Sequence, residues 1–543
     1  MACRCGDLSD SPIPLRASGY LDHMPIAAAL AALALCAPPD GAAPDRYAVW
    51  ISLEEKVVPR GGVQPEHTPL TDRALARRAR RRTDAGLVDA RDLPVDPTRV
   101  ASILSTGARY RAESRWLNGV SVDATASEIR RISRLDCVKG IHPLHASRPS
   151  IPCSGASVDG GVAGGSYGFM NDQLMQIGIP SMHARGFHGE GMVIGILDTG
   201  FHRVHQAFQS AEFPLNVLAE WDFINNDGST GIDSGDPAGQ HSHGTWILGT
   251  LAAYRPGEAV GAAYRASFVL AKTEVVPTET AVEEDYYVAG LEFIEAQGAD
   301  LATSSLGYID WYTPEELNGV TAVTTIAVNI ATANGLVCLT AAGNEGHDAD
   351  PATHHIIAPA DAFDVITCGA ADSTGAIASF SSDGPTADGR TKPEVLARGI
   401  SVASVHSTNA TGYQAVSGTS LSTPLIAGAT ALLLQARPEF GVAATRSALF
   451  TTASDFAASG TTDPLHLRGH GVISAIAAAK MNRAAEDINL DGAVNAQDLA
   501  ALLSAWGSCS DPDPATGVCT SDFNADGQID AADLARLLGT WMN

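Results

Sequence analysis

The chain of 543 residues lacks a long apolar run: the longest, Ile26 to Leu35, is about half of what a helix needs to cross a bilayer. An integral membrane protein is therefore not expected. Basic residues are scarce, 35 Lys and Arg against 61 Asp and Glu, and the resulting net charge of −26 argues against nucleic-acid binding, which depends on cations placed against phosphates. Cysteine is sparse, nine residues without a CxxC pair or His-rich spacing, so no zinc site is indicated. What is present suits buried cores: 45% of residues are hydrophobic, 18% are charged, and the length allows three or four domains of roughly 150 residues.

The charge is unevenly spread. Residues 46–148 hold 19 Lys and Arg against 12 Asp and Glu, whereas residues 149–543 hold 14 against 44. A basic run such as Arg73 to Arg82 reads either as a solvated helix face or as a docking surface for the acidic body that follows. Upstream, Arg4 and Arg16 precede the apolar stretch, and Ala37, Ala42 and Ala43 follow it. Residues 1–43 thus have the pattern of an export signal, with Met24 an alternative start, and a secreted or surface-attached protein is expected. Leu35 before Cys36 disfavours lipid anchoring. Past the signal and its Cys3, Cys5 and Cys36, six cysteines remain, enough for three bridges. Cys509 and Cys519 close a short loop and are the best candidate pair. Cys338 and Cys368 lie in apolar runs and suit buried thiols as well as a bond, and Cys137 and Cys153 flank the end of the basic segment.

Gly and Ser crowd Cys153 to Ser166, a linker composition that places a boundary at 149–165. Beyond it, strand-like runs (Met192–Leu197, Ser267–Ala271, Leu336–Ala341, Val365–Ala370) alternate with helical stretches (Val320–Ala333, Ser420–Gln435). Doubly buried strands separated by helices predict a parallel sheet in an α/β domain over 166–482.

Three segments there carry reactive groups. Val193 to Gly200 (VIGILDTG) delivers Asp198 to the C-terminal end of a buried strand, where α/β sheets place their sites. His241 to Gly249 (HSHGTWILG) opens an apolar helix with His243. Val416 to Pro424 (VSGTSLSTP) puts Ser420 at the start of another helix. Asp, His and Ser in that chain order follow the subtilisin type of triad. An aspartic protease built on Asp198 and the Asp233-Ser234-Gly235 segment is a minor alternative, because the two motifs stand only 35 residues apart, far too close for two separate lobes. A metal hydrolase using His202, His205, His241 and His243 is a minor alternative.

On these segments, together with Ser304–Tyr308 (SSLGY), Leu339–Gly346 (LTAAGNEG), Ile357–Asp361 (IAPAD), Phe380–Pro393 (FSSDGPTADGRTKP) and His470–Ile473, residues 166–480 resemble a subtilisin-like serine peptidase of the subtilase family. The resemblance implies that Asp198 orients His243, that His243 takes the proton of Ser420, and that Ser420 attacks the scissile carbonyl. Asn344 would supply an oxyanion donor. Ser305, Leu306 and Gly307 match the segment that pairs with the substrate backbone and walls the S1 pocket. With Ala341 and Ala342 opposite, an apolar pocket is expected. The basic segment 46–148 resembles the inhibitory propeptide of such enzymes, most clearly in Ser114–Asp123 and Val138–Pro143. No cofactor is needed for this chemistry.

The tail repeats itself with a shift of 35 residues, Asp487 to Trp506 recurring as Asp522 to Trp541. Each copy fits a twelve-residue calcium loop, with side-chain oxygens at positions 1, 3, 5, 9 and 12, a carbonyl at 7 and Gly at 6. The candidate ligands are Asp487, Asn489, Asp491, Ala493, Asn495 and Asp498, then Asp522, Asn524, Asp526, Gln528, Asp530 and Asp533. Asp in place of Glu at position 12, followed by Leu and Trp at helical spacing, resembles a type I dockerin, an all-α, EF-hand-like module over 484–543 whose partner would be a cohesin. Ten acidic groups against one Arg there should make folding depend on calcium. The Asp-rich loop Asn225 to Asp236 is a further place where calcium could bind. The leading expectation is a secreted serine endopeptidase made as a zymogen, acting on proteins or peptides. The alternative is an inactive, calcium-dependent adhesion or scaffold protein that keeps the fold.

Overall fold

The computed structural model describes residues 46–144, 156–157, 166–276, 283–309, 312–348, 350, 353–509 and 519–541. The export signal, Cys153 and nearly all of the linker lie outside them.

The basic segment forms a four-stranded antiparallel sheet, β1 (Tyr47–Leu53), β2 (Arg109–Ser114), β3 (Gly119–Ala124) and β4 (Val138–Pro143), in the order β2-β3-β1-β4. Alternating Val49, Ile51, Val120 and Val122 cover a small core shared with helices α2 (Pro97–Leu104) and α3 (Ala126–Ile132). Asp96 and Thr125 cap these helices by accepting from Thr98 N and Glu128 N.

The acidic body is built on seven strands, β5 (Val193–Asp198), β6 (Asn216–Asp222), β7 (Ser267–Lys272), β8 (Leu301–Ser304), β9 (Val337–Ala341), β10 (Ile366–Ala371) and β11 (Val395–Arg398). They lie parallel in the order β11-β10-β9-β8-β5-β7-β6. Ile194, Ile196, Phe268 and Leu270 face helices α4 (Ser242–Ala252) and α7 (Thr419–Ala436). Val193, Leu197, Val269 and Ala271 face α5 (Glu284–Ala296) and α6 (Val323–Ala333). Both faces are covered, which is why these strands read as continuous apolar runs. The chain first builds out from β5 to β6 and β7, then crosses back to β8. The order therefore reverses between β5 and β8, and a ligand crevice belongs at their C-terminal ends.

The solvated-face reading of the basic run fails. Helix α1 (Asp72–Arg81) lies against the end of α5, and Arg77, Arg78 and Arg81 are buried. Glu295 of α5, fully buried, takes Arg77, Arg78 (2.8 Å) and Arg115 (3.1 Å), while Asp300 takes Arg73 and Arg81. Glu292 accepts from the Ser114 hydroxyl, from Trp116 N at 3.0 Å and from Arg115 N at 3.1 Å, and Arg111 reaches Asp285 at 2.9 Å. Trp116 packs into the body's own core.

In the tail, helices α8 (Ala496–Ser504) and α9 (Ala531–Gly539) each follow an acidic loop, with Asn495 and Asp530 as N-caps. Cys509 and Cys519 are bonded, and Cys338 and Cys368 are buried thiols. This is the only disulfide among the described residues, fewer than the three that six cysteines permit.

Candidate active site

Asp198 ends β5 with no exposed surface. Its Oδ1 accepts from Thr199 N at 2.7 Å and from the Thr199 hydroxyl at 3.2 Å, and it lies 2.7 Å from His243 Nδ1. An ionised carboxylate only accepts, so Nδ1 is the donor of this pair. His243 sits in the first turn of α4, and Gly244 allows the close approach: a Cβ there would lie 2.3 Å from Gly200 O and 3.1 Å from the Asp198 Cβ.

Ser420 stands in the first turn of α7, where the helix dipole favours negative charge. Pro424, four residues on, has no N–H to give to the Ser420 carbonyl, and Ser305 Oγ donates to that carbonyl instead at 2.8 Å. The end of β8 is thereby fastened to the start of α7. Asn344 Oδ1 accepts from Thr419 N (2.9 Å) and the Thr419 hydroxyl (3.1 Å), which fixes the carboxamide and turns its NH2 group away from Thr419. Gly343 before it has φ 117°, and a Cβ there would meet Ser382 Oγ at 2.6 Å.

Of the pocket residues expected from the sequence, Ser305 lies beside Ser420, Gly307 packs against Ile357, and Ala341 ends β9 as a buried residue. Leu306 instead packs into the core under α5 with Leu197 and Tyr287. Ile357, to which the sequence reading gave no role, lies against both Gly307 and Gly343. Also missed was Glu274, fully buried just past β7. Burial, the neighbouring Glu283 and the charge of Asp198 hold its carboxyl well above the usual range, and it accepts from the Tyr308 hydroxyl. Burial raises Glu283 to about 6.

Among the described residues, no group of three or more clustered metal-ligand atoms includes His202, His205, His241 or His243; His241 packs edge-on against His202, 5.0 Å between ring centroids. His202 and His205 each hold a backbone carbonyl, of Ser407 and Gly412, and His243 belongs to Asp198. At the Asp-rich loop, carboxylate oxygens of Asp222, Asp227 and Asp233 fall within 4.8 Å of one another, and a lysine stands beside them. The buried Lys272 ammonium lies 2.8 Å from Asp222, 3.0 Å from Asp236 and 3.2 Å from Asp233. A lysine ending an apolar strand was the available signal.

The acidic loops of the tail are near copies. Asp487 accepts from Asp491 N and Gly492 N, and Asp522 from Asp526 N and Gly527 N. Asp498 accepts from Ile488 N and Asn495 N, and Asp533 from Phe523 N and Asp530 N. Carboxylate oxygens of Asp487, Asp491 and Asp498 fall within 4.8 Å of one another, a spacing that fits one hard cation with oxygen ligands.

A carboxylate on an imidazole, a serine at a helix N-terminus and a fixed carboxamide define a serine hydrolase class. Comparison with known proteins narrows it. The subtilase family model matches residues 189–471, a Peptidase S8 propeptide domain (Bacteroidota) matches 48–152, and a dockerin type I domain matches 479–539. The chain belongs to the subtilase family and is a subtilisin-like serine endopeptidase with a propeptide and a dockerin domain. Subtilisin E of Bacillus subtilis (strain 168) is 28% identical over 65% of this chain and 80% of its own length. Subtilisin DY of Bacillus licheniformis is 32% identical over 57% of this chain and its full length. Among solved structures, fervidolysin from Fervidobacterium pennivorans, a keratinolytic enzyme related to subtilisin, has a TM-score of 0.54 at 20% identity, over 80% of this chain and 60% of that one.

Proposed function

We propose that this endopeptidase is made as an exported zymogen and hydrolyses peptide bonds through Asp198, His243 and Ser420. Nε2 of His243 removes the Ser420 proton as Oγ attacks the carbonyl, and later returns it to the leaving amine. Asp198 holds the tautomer and stabilises the imidazolium. The Asn344 NH2 group and the Ser420 N–H receive the oxyanion. Ser305 to Gly307, with Ala341, hold the substrate backbone. The observation that carries the reading is the 2.7 Å contact between His243 and a fully buried Asp198, with Ser420 placed by Ser305 at the neighbouring strand end.

The segment 46–148 acts as an inhibitor in place and is released by cutting within 149–165. Calcium is held by the two loops of 484–543. There it neutralises the clustered carboxylates, and the ordered module attaches the enzyme to a cohesin-type partner at the cell surface or in a secreted assembly.

Labelling with a fluorophosphonate tests the chemistry: label on Ser420 is expected, and a folded, propeptide-free protein that takes none would be the scaffold protein instead. Ser420→Ala expressed in a protease-free host is expected to remain full length. A variant that still matured would exclude self-processing.

A further inference from the structure

We infer that Ile357 closes the specificity slot beside Ser420 and restricts the enzyme to small residues, Gly, Ala or Ser, on the acyl side of the cut bond (P1). This rests on the proposed roles of Ser420, Asn344 and Ser305–Gly307.

An acyl group on Ser420 with its oxygen at Asn344 directs the substituent of its α-carbon between the two backbone segments that flank those residues, 305–307 and 341–344. Both segments offer a glycine to this space, and one side chain already fills it. A Cβ at Gly307 would lie 2.1 Å from Ile357 Cδ1 and 2.4 Å from Cγ1, and a Cβ at Gly343 would lie 3.1 Å from Ile357 Cγ2. Ile357 therefore touches both walls at once, and it is 2% exposed.

The plug is fixed in place. Ile357 N donates to Ala342 O at 3.2 Å, tying it to one wall. Tyr308 and Ala358 exchange backbone hydrogen bonds of 2.8 and 2.9 Å, tying it to the other. The branched Cβ leaves the side chain few rotamers by which to swing aside. Gly307 and Gly343 cannot recede from it, since they already lack side chains. A methyl or hydroxymethyl group can be accommodated at the mouth of such a slot, whereas an aromatic ring, which needs 150–250 Å² of buried surface, cannot.

The test uses the mature enzyme with peptide pairs that differ only in Ala or Phe at P1. A kcat/KM ratio of about 100 or more in favour of Ala is expected, on the scale by which filled hydrophobic pockets discriminate. In Ile357→Gly the ratio should fall at least tenfold and Phe should become a good substrate; Ile357→Ala, a milder change, should shift it the same way. Wild-type enzyme that cleaves after Phe as readily as after Ala, or an unchanged ratio in both variants, would overturn the inference. Fluorophosphonate labelling separates the two levels, because the probe carries no P1 side chain. Labelled enzyme without a small-residue preference refutes the plug alone, and unlabelled folded enzyme refutes the catalytic reading along with it.

Discussion

Two segments are docked on the same catalytic body by opposite means. The propeptide is held largely by charge: Glu292, Glu295, Asp285 and Asp300 are matched by Arg73, Arg77, Arg78, Arg81, Arg111 and Arg115. The dockerin domain is held by an apolar anchor. Leu490, at position 4 of the first acidic loop, is 1% exposed and belongs to the catalytic core cluster. Arg185 adds bonds to Ile488 O (3.0 Å) and the Thr520 hydroxyl (2.7 Å), and Arg483 joins Ala436 O to Asp487. Leu490 is left-handed at φ 61°, and its repeat counterpart, Ala525, has the same backbone (φ 59°) without the anchor. A carboxylate uncovered by separation is soluble in water, whereas an uncovered leucine is not. The charged seam therefore suits a segment that departs, and the apolar seam one that stays.

The comparison breaks most sharply at Glu295. Glu295→Ala leaves Arg77, Arg78 and Arg115 buried without their shared anion and should weaken propeptide docking by about 3–5 kcal/mol. Isothermal titration of separately produced propeptide into mature enzyme, with and without the substitution, measures this; an effect below about 1 kcal/mol would show that the charges are not what holds the seam. Leu490→Ala should lower the stability of the processed enzyme by about 2–5 kcal/mol, read by chemical denaturation, while Ala525→Gly should leave it unchanged or raise it slightly. Equal effects at both repeat positions would remove the distinction between them.

The two seams should also differ in acid. The surrounding guanidiniums outweigh burial and hold Glu295 down at about 2. A depressed carboxyl contributes stability that is complete above its ordinary value of about 4.5 and is lost as pH falls through the lowered one. Glu292, raised by burial, works in the opposite sense and moderates the loss. Propeptide affinity in the Ser420→Ala precursor, nicked in the linker by an added protease, should fall between pH 4.5 and 2, and Glu295→Gln should flatten that slope; an unaltered slope would place the acid response elsewhere. The smallest effect is expected at the rim. Arg73 is 40% exposed, so Arg73→Ala should cost under about 1 kcal/mol of docking and most of that should vanish in high salt.

Much of this was legible in the chain. β5, β7, β9 and β10 fall where continuous apolar runs predicted strands, because strands covered on both faces carry no polar alternation. β6, with exposed and half-buried residues along Asn216–Glu220, and the four-residue strands β8 and β11 gave no such run. The places of Asp198 at a strand end and of His243 and Ser420 at helix starts were readable because each such context is written within a few residues. The pairing of Cys509 with Cys519 was readable for the same reason, being closed by a separation of ten.

Contacts between distant segments were not. Nothing near Arg77 in the chain names Glu295, and nothing near Leu306 tells which way its side chain points. Ile357 sits in a recognised motif, yet its position between Gly307 and Gly343 exists only once β8 and β9 lie side by side. The Asp-rich loop invited a cation, and only packing showed that the Lys272 ammonium stands beside Asp222, Asp233 and Asp236. By itself, then, the sequence determined the class of enzyme, the order of its parts and the sign of their charges, since these depend on residue type and local spacing. The tertiary structure alone decided which charges meet, which seam is apolar and which side chain lies between Gly307 and Gly343, because those depend on distances across the fold that one-dimensional order does not encode.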